Sequence, residues 1–244
     1  MKKAFIFGLN GKMGKMLCDC AASYGYEITG GFDVTPHPSI PTFTDVSKAD
    51  VPFDVIIDFS RPITLSVIIA LVERHKAPVV IATTGYNDSE LKMIRLLSEN
   101  VPVLRSGNMS LGIAAVKAAA KAAQAVLGDD FDIEIVEKHH NQKADSPSGT
   151  ALLLADALAP RENQVINRFG KRNRGEVGIT SVRGGGVVGE HEIGFYGEDE
   201  IVTVSHSARS RRLFAAGAFK AADFLLSAPK GLYGMDDVTE RLIK

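Results

Sequence analysis

Through the first hundred residues, unbroken apolar runs take turns with stretches whose apolar positions recur at helical spacing. The runs "AFIFG" (4–8), "DVIIDFS" (54–60), "PVVIATTG" (78–85) and "VPVLRSGN" (101–108) do not alternate. That pattern belongs to parallel strands covered by helices on both faces. "YEITGGFD" (26–33) reads as a further strand. "KMGKMLCDCAASYG", "ITLSVIIALVERHK" and "DSELKMIRLLSEN" read as the covering helices. Repeated strand–helix units predict a doubly wound parallel sheet with right-handed crossovers. Pro36, Pro38, Pro41 and Pro52 interrupt residues 34–53, so a loop with at most a short helix is expected there.

The second half has another texture. An alanine-rich helix, "IAAVKAAAKAAQAVLG", leads into the strand "DIEIVEKHH" and the helix "GTALLLADALA". From about 164 to 206 the glycine-divided stretches "GITSVRGGG", "GEHEIGFYG" and "DEIVTVSHSA" are strand-like, and Arg161 to Arg174 is expected as an exposed loop. The sequence thus predicts an α/β protein with an added α+β domain. The expected boundaries are 1–110 with 211–244, the closing alanine-rich helix returning to the first domain, and 111–210.

Composition narrows the function classes. The 244 residues are 45% apolar, and 28 basic residues nearly balance 29 acidic ones. No basic excess points to nucleic acid or an anionic membrane. The N-terminal apolar run is too short for a signal peptide, and no apolar stretch approaches the ~20 residues of a membrane span. A soluble, cytoplasmic protein is expected. Cys18 and Cys20, the only cysteines, point in different directions on one helix, so free thiols are expected.

Two stretches carry chemistry. In "FIFGLNGKMGKM", Gly8, Gly11 and Gly14 separate the first strand from the first helix, a G-x-x-G-x-x-G spacing with Asn10 at the usual second glycine. Such a turn lets backbone N–H groups reach a pyrophosphate at a helix N-terminus; it also occurs as a plain tight turn. Asp33, nineteen residues beyond Gly14 at the end of the second strand, stands where a ribose 2′-hydroxyl is bound, which favours the Rossmann-like reading. Its carboxylate repels a 2′-phosphate, so NADH is the expected cofactor and NADPH the other, with Lys12 as a nearby cation.

The second stretch is "EKHHNQKADSPSGTA" (137–151). Strand periodicity puts Ile133, Ile135, Glu137 and His139 on one face and Glu134, Val136, Lys138 and His140 on the other. Surface histidines, or a metal site with Asp145, are alternative readings; the opposed histidines disfavour the metal. Lys143 follows, then Pro147, Ser148, Gly149 and Thr150 open a helix whose first N–H groups suit an anion. A histidine beside such a turn suggests proton delivery to an anionic substrate.

These residues resemble the E-x-H-H-x-x-K-x-D-x-P-S-G-T-A signature of the 4-hydroxy-tetrahydrodipicolinate (dihydrodipicolinate) reductase family. The resemblance extends to the glycine loop, "DFSRP" (58–62), "TTG" (83–85), "SGNMSLG" (106–112), "RGGGVVGEH" (183–191) and "SRRLFAAGA" (210–218). It implies NAD(P)H-dependent reduction of a cyclic imine dicarboxylate on the way to diaminopimelate and lysine. His139 matches the proton donor and Lys143 a second acid/base residue. His140, Gly149 and Thr150 match substrate contacts; Arg183, beside glycines, reads either as a further cation or as an exposed loop residue. Gly8, Leu9, Asn10, Gly11, Lys12, Met13, Asp33, Ala82, Thr83, Thr84, Ser106, Gly107, Asn108 and Met109 match the cofactor side. A homotetramer joined through the second domain is implied too. Departures are mild: Ala82, Met109, Asn141 and Ser146 replace commoner residues. The rival readings are another two-domain dehydrogenase acting on an amino acid or semialdehyde, and a non-catalytic NADH sensor.

Overall fold

The structure, a computed structural model, describes residues 1–243. The chain folds as two compact units, residues 1–111 with the segment from Arg211 onward, and Gly112–Ser210.

The first unit is built on seven parallel strands in the order β12-β6-β5-β4-β1-β2-β3. They are β1 (Lys2–Phe7), β2 (Tyr26–Phe32), β3 (Thr42–Phe43), β4 (Val55–Asp58), β5 (Val79–Ile81), β6 (Pro102–Arg105) and β12 (Gly231–Tyr233). Strand order reverses between β1 and β4, and open α/β sheets bind ligands outside the carboxyl ends of such a switch point. The apolar runs are buried as a covered parallel sheet requires: Val55, Ile56 and Ile57 of β4 and Val79, Val80 and Ile81 of β5 are all solvent-free.

The helices are α1 (Lys12–Cys20), α2 (Leu65–His75), α3 (Asp88–Ser98), α6 (Arg212–Leu225) and α7 (Met235–Ile243). On one face of the sheet, Ile68, Leu71 and Val72 of α2 and Ile94 and Leu97 of α3 join Phe5, Phe7 and Ile56 in a common core. The capping box that starts α3 is reciprocal: Asn87 Oδ1 accepts the Glu90 N–H, and the Glu90 carboxylate accepts the Asn87 N–H. Cys18 and Cys20 are free thiols on α1.

The proline-rich segment gives more structure than expected. Gly31 N–H donates to Pro41 O and Asp33 N–H to Phe43 O, so Thr42–Phe43 pairs with β2 as an edge strand. Proline is tolerated at an edge because only its carbonyl is used.

The second unit has a five-stranded mixed sheet, β11-β10-β7-β9-β8. Its strands are β7 (Asp132–His139), β8 (Gln164–Ile166), β9 (Val177–Arg183), β10 (Glu190–Tyr196) and β11 (Ile201–Ser207). Residues paired across β9, β7 and β10 form rungs: Val177–Ile133–Phe195 and Ile179–Ile135–Ile193 are apolar and buried. Helices α4 (Leu111–Leu127) and α5 (Gly149–Asp156) cover these rungs with Ile113, Val116, Ala120, Ala151 and Leu154.

Two expectations change here. Leu111–Asp130 does have the length and mean hydropathy, 1.3, of a membrane span. Its Ile113, Val116 and Ala120 recur at helical spacing and pack on the sheet, so one face of α4 belongs to the core while Lys121 is exposed. The polar stretch after Arg161 is partly ordered: β8 forms within it, Arg168 pairs with Glu176 and, at 3.4 Å, with Glu134, and Arg172 pairs with Glu134.

Close packing in the first unit yields a test. A Cβ on Gly217 of α6 would lie 1.6 Å from Met109 O, an overlap that only backbone movement relieves. Gly217→Ala is expected to lower unfolding free energy by about 2 kcal/mol, measured by urea denaturation.

Candidate active site

At the switch point the chain turns sharply after β1. Gly8 has φ +80°, and a Cβ there would stand 2.7 Å from Phe59 O; a Cβ on Gly14 would stand 2.1 Å from Gly8 O. Only glycine lets the turn approach β4 and lets α1 start against the strand. Gly11 occupies the N-cap of α1 and offers no side-chain cap. First-turn N–H groups of an uncapped helix are donors available to a phosphate.

Asp33 sits beside this turn. One carboxylate oxygen accepts Asn10 N–H at 2.8 Å, and the other accepts Val34 N–H at 2.8 Å. The Asn10 side chain donates to Thr35 O at 2.6 Å, which ties the glycine loop to the segment after β2. A cavity of about 470 Å³ opens between Gly8, Gly11, Asp33 and Thr35 on one side and Ser60 and Arg61 on the other. Beneath it the fully buried Asp58 carboxyl, pushed up by burial, accepts Ser60 N–H at 2.9 Å and the Ser60 hydroxyl. Arg61 was not singled out in the sequence; its signal was the "DFSRP" stretch itself.

The remaining residues expected on the cofactor side fall into two groups. Lys12 is exposed and Met13 half-buried at the start of α1, whereas the Leu9 side chain is solvent-free. Ala82, Thr83 and Thr84 follow β5, and Ser106 to Met109 follow β6. These two loops adjoin, since a Cβ on Gly107 would lie 3.5 Å from Thr84 Cγ2. Ser106 Oγ donates to Asn108 O at 2.7 Å and so shapes its loop. Met109 is 1% exposed. Leu9 and Met109 are therefore core side chains, and only their backbone faces the loops.

In the second unit the rungs change character toward one end of the sheet. Beyond the Ile135 rung comes Ser181–Glu137–His191, then Arg183 beside His139. Glu137 is fully buried. Arg183 grips it like a fork, with Nη1 to Oε2 at 2.8 Å and Nη2 to Oε1 at 2.7 Å. Ser148 N–H adds a bond to Oε1 at 3.0 Å, and His139 Nδ1 lies 2.5 Å from Oε2. Burial pushes the Glu137 carboxyl up, but Arg183, Ser181, His139 and the Ser148 N–H outweigh it and hold it down at about 2.

An anionic Glu137 fixes the imidazole. Nδ1–H donates to the carboxylate, which leaves Nε2 as the ring nitrogen outside that bond. Nε2 lies over Gly189, where a Cβ would come within 3.0 Å. His140 follows the end of β7, and its carbonyl accepts Lys143 N–H at 3.1 Å.

Lys143 Nζ meets both oxygens of Asp145 at 2.8 Å. Lys143 holds the Asp145 carboxyl below its ordinary range against partial burial, and the N–H groups of Asp145 and Gly149 assist. Gly149 and Thr150 open α5, which Ser148 caps through Ala151 N–H. A carboxylate of the chain itself therefore rests between Lys143 and the start of α5.

Arg183 is engaged within the chain. Expected as a substrate cation, it is consumed by Glu137 and by Asp145 O at 2.6 Å. Glu137, the residue it serves, lay inside the signature without a role.

A glycine turn at the switch point of a parallel sheet, with a strand-end acid bonded beside it, defines a dinucleotide-binding protein. Its second unit carries the Glu137–His139–Arg183 cluster and the Lys143–Asp145 pair beside α5. Residues 2–109 match the model of the dihydrodipicolinate reductase N-terminus and 112–239 that of its C-terminus. The chain belongs to the dihydrodipicolinate reductase family. It is 43% identical to the 4-hydroxy-tetrahydrodipicolinate reductase of Clostridium tetani, over 97% of this chain and 96% of that one. It is 44% identical to that of Caldanaerobacter subterraneus, over 99% of both. A dipicolinate-bound dihydrodipicolinate reductase from Paenisporosarcina sp. TG-14 superposes with a TM-score of 0.81 at 26% identity, covering 97% of this chain and 99% of that one. A myo-inositol dehydrogenase from Corynebacterium glutamicum, 16% identical with a TM-score of 0.61 over 95% and 90%, shares the fold.

The Glu137 network sets an acid limit on stability. Its folded value, about 2, lies below the ordinary 4.5, so its contribution is complete above about pH 4.5 and is lost as pH falls toward 2. Glu137→Gln is expected to cost about 3 kcal/mol by leaving Arg183 unbalanced and to flatten the fall in stability over that window. Urea unfolding between pH 7 and pH 3 reads both effects.

Proposed function

We propose that the protein reduces 4-hydroxy-tetrahydrodipicolinate to tetrahydrodipicolinate with a nicotinamide nucleotide, a cytoplasmic step toward diaminopimelate and lysine. The observation that carries this reading is the Glu137–His139 pair, clamped by Arg183 in a chain of this family, four residues before Lys143 and ten before α5. The substrate is a dianion. Lys143 and the N–H groups that open α5, which hold Asp145 in the free protein, are the groups suited to one of its carboxylates. His140 and Thr150 flank that position.

The cofactor fits the first unit. Gly8, Gly11 and the uncapped start of α1 suit its pyrophosphate, Asp33 its adenine ribose, and the adjoining 82–84 and 106–109 loops its nicotinamide end. When bound, the nicotinamide supplies the hydride. His139, oriented through Nδ1, delivers the proton from Nε2 to the carbon next to the reduced one. Lys143 grips the carboxylate and serves as the second proton-handling group. Water release completes the balance. Asp33 favours NADH, while Arg61 across the same cavity offers a 2′-phosphate a cation, so NADPH is accepted as the second cofactor.

Four copies assemble through the second unit. The support is a sheet edge at β11 with Ile201 61% exposed beside its exposed register partner Tyr196 of β10. Light scattering should give the mass of four chains, and a monomer would refute the assembly.

The first experiment follows NADH absorbance with freshly generated imine substrate, then with NADPH. Oxidation that depends on the imine supports the reductase. Cofactor binding without oxidation would favour the sensor, and oxidation with an amino acid or semialdehyde instead would favour another dehydrogenase. His139→Gln is expected to lower kcat about 10²–10⁴-fold, and Lys143→Ala to lower kcat and raise KM for the imine. Arg61→Ala should raise KM for NADPH more than for NADH; equal changes would remove Arg61 from cofactor choice.

A further inference from the structure

The rung that holds Glu137 extends to groups the proposed chemistry leaves unused. Ser181, Glu137, His191 and His206 are register partners across β9, β7, β10 and β11. His191 is 5% exposed, deep for an imidazole. Its Nε2 lies 3.1 Å from Ser148 Oγ, and its ring meets that of His139 edge-on, with centroids 5.2 Å apart at 76°. Ser148 caps α5 by accepting Ala151 N–H at 3.1 Å. One buried side chain thus touches both the ring assigned to proton delivery and the residue that fixes the anion-holding helix end.

Counting hydrogens gives the direction of the Ser148 bond. If the hydroxyl donates to Nε2, the neutral ring keeps its hydrogen on Nδ1. Nδ1 has no partner among the described residues, so one N–H goes unmatched. If Nε2–H donates instead, the hydroxyl hydrogen and the Nδ1 lone pair both go unmatched. Buried polar groups are rarely left so. Burial, then the neighbouring His139, drives His191 down to about 4; Glu137 opposes them, and His206 and Lys143 act with them.

We propose that His191 is a positioning residue, a neutral imidazole that accepts the Ser148 hydroxyl hydrogen and walls the ring of His139, so that helix end and proton donor are held in one geometry. This rests on the roles given above to His139 and α5. A cation here would face His139 and Lys143 and would lose the acceptor that Ser148 needs. An apolar residue would pack as well and leave the hydroxyl unmatched.

The test compares His191→Gln, whose amide oxygen reaches the place of Nε2, with His191→Leu, which fills the space without an acceptor. Nitrogen-15 NMR of the wild-type imidazoles should find His191 neutral at pH 7 with its hydrogen on Nδ1. Dipicolinate serves as the probe ligand. His191→Leu is expected to weaken dipicolinate binding and raise KM for the imine about tenfold, the scale of one hydrogen bond. His191→Gln should bring both back to within about threefold of wild type on the same scale. A protonated ring, a hydrogen on Nε2, unchanged binding in the Leu variant, or equal losses in both variants that track a fall in Tm would overturn the proposal. Should the wild-type protein leave the imine unreduced, the reading of the site fails on its own. The tautomer and dipicolinate binding then still decide the role of His191.

Discussion

A carboxylate without water is the constraint around which the second unit is organised. Glu137 is fully buried, and an ionised carboxylate in that position is tolerated only when charge and hydrogen bonds replace its hydration. Arg183 supplies the charge, and the Ser148 N–H and His139 Nδ1–H complete the set. The partners come from β9, from β7 itself and from the residue that caps α5. Satisfying one charge therefore fixes a strand end, a ring and a helix start together. The orientation of His139 follows from the same requirement, because the ring serves Glu137 before it can serve a substrate.

The first unit rests on a different constraint, the close approach of backbones. Gly8 and Gly14 admit contacts that any side chain would block, and these contacts bring α1 to the switch point with its N–H groups uncapped. The anion site there is a consequence of packing rather than of charged side chains, in keeping with a chain whose net charge is about −1. Asp33 joins the two parts of that site by accepting Asn10 N–H while it lines the cavity.

Backbone periodicity made most of the architecture legible. The solvent-free β4 and β5 were visible as unbroken apolar runs, and the alternation of Ile133, Ile135, Glu137 and His139 placed the last two on the buried face. The edge strand Thr42–Phe43 was hidden because two residues carry no period, and the prolines around it argued for a loop. At the site, the histidines, Lys143 and the α5 start were legible as candidates because their chemistry is carried by residue type. What failed was pairing. Nothing in sequence says that Arg183 will meet Glu137, forty-six positions away, or that His191 will meet Ser148. Those contacts are set by the register of β7 against β9 and β10, which only the folded sheet reveals.

Register also explains why the arginine is not left for the substrate. Arg183 pairs with His139 across β7 and β9, one rung beyond Glu137, and its guanidinium reaches back over the carboxylate. Released from Glu137 to bind a dianion, it would leave a buried charge unbalanced, a cost of about 3–5 kcal/mol. A surface anion contact is worth far less than that. The cation that binds must be one whose partner can leave at small cost. Lys143 meets this condition, since the Asp145 it holds is more than half exposed and regains water on release. On the proposed roles, the division of labour between the two cations follows from the acids they hold: Arg183 stays on the buried Glu137, and Lys143, on an exposed Asp145, is the one placed to exchange one carboxylate for another.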